Sequence, residues 1–159
     1  MMTKQEVKDE YKDSEGKPEV KQRIRQLQRE VSQRRMMAAV PDADVIITNP
    51  THYAVALQYD PEKGGMAPLL LAKGTDFIAL KIREIGVEHK VQILESPALA
   101  RAIYYSTEIE QEIPAGLYLA VAQVLAYVFQ IRQYRSGRGK APEPLRTDLP
   151  IPPDLRRDS

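Results

Sequence analysis

Asp44-Val45-Ile46-Ile47-Thr48-Asn49-Pro50-Thr51-His52-Tyr53-Ala54-Val55-Ala56-Leu57 is the stretch whose reading decides the fold. Two apolar runs meet at a polar corner, Asn49-Pro50-Thr51-His52, which predicts strand, tight turn, strand. Proline at the second turn position presets φ for type I and II turns, and Asn is favoured at the first. Val45, Ile46 and Ile47 in succession predict a strand buried on both faces. From Tyr53 to Tyr59, bulky Val55, Leu57 and Tyr59 alternate with Ala54, Ala56 and Gln58, the period of two that a strand requires.

The corner also has chemistry of its own. In an ordinary Asn-X pair the next backbone nitrogen attacks the side-chain carbonyl, and the asparagine deamidates. Pro50 has no N–H, so that route is closed. The remaining reaction is attack by the Asn49 side-chain nitrogen on its own backbone carbonyl, which closes a succinimide and releases Pro50 as a new amino terminus. An amide nitrogen is a poor nucleophile, so the fold must hold it against its carbonyl and assist the loss of a proton. Thr51 is a candidate for fixing the turn through its hydroxyl. His52, whose ordinary titration range spans neutrality, is a candidate to move that proton, or else simply shapes the bend.

A chain of 159 residues suits one modest domain with extended ends. A net charge of +1 gives the molecule no strong pull toward a highly charged partner. Zero cysteines exclude disulfides and thiolate metal sites, and two histidines, His52 and His89, are too few for a histidine metal centre. Neither a cofactor nor a metal is therefore expected. No charged segment followed by an apolar one opens the chain, so no signal peptide is read there, and Met1-Met2 reads as an added start on a fragment.

Working outward, residues 1–19 read as a flexible polar linker, and residues 20–40 as a basic amphipathic helix. Val20, Ile24, Leu27 and Val31 form its narrow apolar stripe. Lys21, Arg23, Arg25, Arg29, Arg34 and Arg35 face only Glu30 in charge, which suits either a solvated face or an anionic lipid surface worth about 1 kcal/mol per basic residue. Nucleic acid is not expected, because the helix has no aromatic platform. Leu69 to Ala72 is a third strand stopped by Gly74, and a helix follows from Thr75 or Asp76 with Gly86 as its C-terminal glycine. Lys73-Gly74-Thr75 lacks the glycine spacing of a phosphate loop. Val91 to Leu94 is a fourth strand, and Ser96-Pro97 opens a helix to about Tyr105. The last helix runs from Pro114 or Ala115 to about Arg135; uncharged from Ile113 to Ile131, it is long enough for a membrane span, yet its stripe and glutamines read as a core helix.

The expectation is an α/β fold: a single domain, residues 41–136, with a four-stranded mixed sheet surrounded by helices, and a disordered Pro-rich tail over 137–159.

The frame Val45-Ile46-Ile47-Thr48 before the corner and Tyr53-Ala54-Val55-Ala56-Leu57 after it resembles the cytoplasmic domain of the FlhB family, the substrate-specificity switch of flagellar type III secretion. The likeness continues through Ala72-Lys73-Gly74, Ile82-Arg83-Glu84-Ile85-Gly86, Pro97-Ala98-Leu99-Ala100-Arg101 and Ile113-Pro114, covering roughly residues 3 to 135. The resemblance implies single-turnover self-cleavage between Asn49 and Pro50, with Asn49, Pro50, Thr51 and His52 as the reacting corner and both pieces retained in the fold. It further implies export gate proteins, a hook-length control protein and export substrates as partners. The place implied is the cytoplasmic face of a bacterial inner membrane, behind transmembrane helices. An injectisome switch homologue is the neighbouring alternative. An α/β enzyme acting on a separate substrate is the alternative of another class, disfavoured by the missing glycine-rich loop, the absent cysteines and the lack of a carboxylate–histidine arrangement at short range in the sequence.

Overall fold

The structure is a computed structural model that describes residues 17–50, 52–60, 67–146 and 148–156. It divides into two compact units, Met1–Arg35 and Met36–Ser159. The described part of the first consists of helix α1, Pro18–Ala39, whose last turn belongs to the second unit. Proline at the first helical position suits a start two residues earlier than the apolar spacing indicated, since its missing N–H has no intrahelical acceptor there. Ile24, Leu27 and Val31 are exposed on this helix.

The second unit is built on a four-stranded mixed sheet of β1 (Val45–Asn49), β2 (Tyr53–Gln58), β3 (Leu69–Thr75) and β4 (Gln92–Glu95), in the order β3-β2-β1-β4. The hairpin β1–β2 and the pair β2–β3 are antiparallel, while β4 lies parallel to β1. The expected architecture is therefore the observed one. Helix α2 (Asp76–Glu88) carries the chain from one edge of the sheet to the other, the crossover that a parallel strand requires. Helices α3 (Pro97–Ser106) and α4 (Tyr118–Arg135) follow.

Both faces of the sheet are covered, and alternation assigns each side chain to a face. Val45, Ile47, Val55 and Leu57 pack with Leu99 and Ile103 of α3 and with Val121, Val124 and Val128 of α4. Ile46, Ala54, Ala56 and Ala72 pack with Ala79 and Ile82 of α2 and with Met36 and Val40. The alanines of β2 read from the sequence as small are thus the seat of α2. With Ala115–Leu117, α4 is long and apolar enough to cross a membrane by length and composition, but Ala120, Val121, Val124, Leu125 and Val128 are buried in this core.

Two glycines act differently from their sequence reading. Gly74 does not stop β3, which continues to Thr75; it pairs with Ala54 inside the sheet, where a Cβ would run into the side chain of Ile78. The bare backbone lets α2 begin directly after the strand. Gly86 does not end α2 either, because the helix continues to Glu88, and a Cβ at Gly86 would run into Cδ1 of Ile46. Lys90 takes the terminal role instead. With φ of 60° it adopts the left-handed conformation, Val91 N–H reaches Gly86 O at 2.8 Å, and Lys90 N–H reaches Val87 O at 3.2 Å. That is the two-bond motif by which helices close on a left-handed residue.

The tail is the third departure. Its described residues form no helix or strand, as expected of five prolines between Pro142 and Pro153. The expected disorder is corrected: Leu149 is buried in the core, and Leu145, Ile151 and Leu155 pack against it. At Gly116 a Cβ would stand 2.9 Å from Leu155 Cδ1, so the tail lies directly on the turn before α4. Composition summed over the segment predicts that it cannot fold alone. It does not register that prolines lower the entropy lost when an extended strap docks on an existing apolar face. Leu149→Ala is expected to cost about 2 kcal/mol, measured as a lower urea midpoint; an unchanged midpoint would mean that the strap adds nothing.

Candidate functional site

The corner closes the β1–β2 hairpin. Asn49 pairs with Tyr53 at the end of the ladder, and the His52 N–H donates to the Asn49 carbonyl at 3.0 Å. Asn49 and Pro50 are half-buried and His52 is exposed. Thr51 lies outside the described residues. The backbone carbonyl that a cyclising Asn49 would attack is therefore the one that accepts the turn's own hydrogen bond. Any negative charge developing on that oxygen would be met by an N–H already in place.

The strand register determines what surrounds the corner. Tyr53 pairs with Thr75, so the next residues outward, His52 and Asp76, are also neighbours. The Asp76 N–H donates to the His52 carbonyl at 3.0 Å, and the Asp76 carboxylate stands 3.9 Å from His52 Nδ1. Asp76 holds φ at 48°, a left-handed conformation that Asp adopts more readily than most side chains. The abrupt passage from β3 to α2 imposes it. On the other side, β1 is tied to α3, because Ser96 N–H donates to Thr48 O at 2.9 Å and buried Thr48 Oγ1 faces Leu94 O at 3.4 Å. The resulting cleft is lined by Asn49, His52, Tyr53, Thr75, Asp76 and Arg101.

Three tyrosines cluster at its Tyr53 side. Tyr53 and Tyr105 share a hydroxyl hydrogen bond of 2.8 Å, and Tyr104 touches both rings at centroid separations of 5.1 and 5.0 Å. The hydrogen bond with Tyr105, followed by burial, pushes the Tyr53 phenol above its ordinary range. Lys73, which the sequence set beside a spurious phosphate loop, extends its amine to the carbonyls of Tyr104 at 2.9 Å and Thr107 at 2.8 Å. It thereby caps the C-terminal end of α3, where a cation is favoured.

The sequence reading named the corner but missed Asp76 as its neighbour, along with Arg101 and the tyrosine cluster. Asp76 had registered only as a candidate helix cap. Twenty-odd residues separate it from His52, and only the β2–β3 register removes that distance. His89 is exposed at the end of α2 and does not join the site.

Fold and site together define a small mixed α/β domain in which one interior strand ends in an Asn-Pro hairpin corner. The chain belongs to the family described as FlhB HrpN YscU SpaS, whose sequence model matches residues 1–128. It is 56% identical over 154 residues to the flagellar biosynthetic protein FlhB of Salmonella typhimurium, covering 97% of this chain and 40% of that protein. To the Bacillus subtilis FlhB it is 55% identical over 132 residues, covering 83% of this chain and 36% of the relative. The chain thus spans about 40% of the length of the first of these relatives. The crystal structure of the cytoplasmic domain of FlhB from Shewanella putrefaciens superposes with a TM-score of 0.75 at 56% identity, covering 79% of this chain and 95% of that one. An asparagine-substituted EscU C-terminal domain matches with a TM-score of 0.55 at 27% identity, covering 57% of this chain and 90% of that one.

The Tyr53–Tyr105 bond carries a measurable consequence. Because the Tyr53 pKa is raised, the stabilisation it reflects is present at neutral pH and is lost as pH climbs from about 10 through the raised value. Tyr105→Phe should move the Tyr53 titration down toward about 10, read by NMR of ¹³Cζ-labelled tyrosine; an unmoved titration would assign the shift to burial alone.

Proposed function

We propose that this chain is the cytoplasmic switch domain of a flagellar type III export component, and that it cleaves itself once between Asn49 and Pro50. The observation that carries the reading is the 3.0 Å hydrogen bond from the His52 N–H to the Asn49 carbonyl, at an Asn-Pro bond where deamidation is chemically closed. Support also comes from solved EscU C-terminal domains substituted at an asparagine and at the proline that follows it.

In the reaction, Asn49 Nδ2 bonds to the Asn49 backbone carbon and gives up a proton, with His52 as the side chain proposed to accept it. The oxyanion is held by the His52 N–H. Collapse of the adduct breaks the Asn49–Pro50 bond, and the Pro50 nitrogen takes up a proton to leave as a secondary amine. The first piece then ends in a cyclic imide, and no atom has been added or lost. Thr51 keeps the role of steadying the turn. Self-cleavage is the sole covalent event in this reading, so the domain turns over no separate substrate.

The pieces stay together in this reading because β1 is one of the sheet's two interior strands. It is paired with β2 on one side and β4 on the other, and Val45, Ile46 and Ile47 are fully buried. At about 1.5–3 kcal/mol for each buried aliphatic side chain, those three residues alone resist departure of the first piece. What the cut releases is the corner, and with it the surface offered to partners. The partners proposed are export gate proteins, a hook-length control protein and the export substrates, with specificity passing from rod and hook proteins to filament proteins. The setting proposed is the cytoplasmic face of the inner membrane. Exposed Ile24, Leu27 and Val31 on the helix that carries Lys21, Arg23, Arg25 and Arg29 support contact with anionic lipid there. Identity of 56% to a flagellar relative against 27% to EscU favours the flagellar branch over an injectisome one.

Wild-type protein should separate on a denaturing gel into residues 1–49 and 50–159 yet elute as one species from a native sizing column. Asn49→Ala should run whole. The masses of fresh fragments should sum to that of the intact chain; a sum heavier by one water from the outset would point to hydrolysis instead. Neutralising Arg23, Arg25 and Arg29 together should weaken binding to anionic vesicles several-fold, and unchanged binding in a sedimentation assay would remove the lipid contact.

A further inference from the structure

We propose that Asp76 is a positioning residue for the cleavage, acting through His52; the inference rests on the self-cleavage reading above. Two contacts join the same two residues. The Asp76 N–H donates to the His52 carbonyl at 3.0 Å, which holds the corner's backbone, and the Asp76 carboxylate stands 3.9 Å from His52 Nδ1, which faces the ring. The first contact brings the second into place. It exists because β3 passes into α2 without a connecting loop, with Asp76 at φ 48° as the joint. A carboxylate facing Nδ1 favours the tautomer with its proton there, leaving the Nε2 lone pair as the base. The same carboxylate stabilises the imidazolium that forms when His52 accepts the proton from Asn49 Nδ2. Passing that proton on to the departing Pro50 nitrogen would leave the ring as it began. Arg101 and Tyr53 line the same cleft and complete the polar surroundings of the pair.

Both side chains are well exposed, at 65% for His52 and 78% for Asp76, which sets the size of the effect. An exposed pair changes a rate by roughly two- to fivefold. Asp76→Asn is the appropriate variant, because Asn tolerates the left-handed conformation as Asp does and keeps the N–H to His52. The charge is removed and one acceptor oxygen becomes an NH2 donor, while the backbone is kept.

The experiment has two arms. In the uncleavable N49A chain, ¹⁵N NMR of the imidazole should show the Nδ1-protonated tautomer of His52 losing population when D76N is added. Equal tautomer populations would overturn the proposal. In a cell-free pulse–chase of the full chain, D76N should slow the appearance of fragments two- to fivefold, and H52Q should slow it further. Adding D76N to H52Q should then change nothing. A D76N chain cut at the wild-type rate, or a slowing by D76N that persists in the H52Q background, would overturn the proposal while leaving self-cleavage intact. A wild-type chain that stays whole through the chase would overturn both.

Discussion

The structure depends on one strand being enclosed from every side. β1 lies between β2 and β4, with Val45 and Ile47 under α3 and α4 and Ile46 under α2. Burial on both faces together with pairing on both edges makes β1 hard to remove, a position it shares with β2. Asp44 adds a clamp at its start: its carboxylate accepts from Tyr59 N–H at 2.7 Å and from Arg132 at 3.2 Å, which ties the strand to the end of α4. Everything proposed for the corner presupposes this hold, since the corner is simply where β1 runs out.

Placement explains how a chemically unusual bond can sit in a stable domain. The polar turn lies at the rim of the sheet, half-buried at Asn49 and exposed at His52, outside both packed layers. Its backbone is nevertheless held by the hydrogen bonds from His52 to Asn49 and from Asp76 to His52, each 3.0 Å. The tyrosine cluster and the Lys73 cap hold α3 against the same rim.

Much of this was legible in the residues. The period of two from Tyr53 to Gln58, the unbroken Val45-Ile46-Ile47 run and the Ser96-Pro97 helix start gave strands and helices whose order the structure repeats. Glycine was where local reading failed. Local rules make stops of Gly74 and Gly86, yet both are bare patches where Ile78 and Ile46 pass close to the backbone. A close approach involves residues distant in sequence, and a local rule cannot register it. The tail failed for the same reason, because its leucines find an apolar face that other elements build.

What the sequence alone determined is an Asn-Pro bond at which deamidation is closed. Pro50 removes the competing reaction whatever the fold, because the missing N–H is a covalent fact. The sequence likewise determined the period of each element and the residues available for the core. Tertiary structure alone decided which groups attend that bond. The register Tyr53 to Thr75 brings Asp76 beside His52, and the strand order places β1 at the centre rather than at an edge. Register and strand order arise from packing across the whole domain, and no local stretch of residues carries that information.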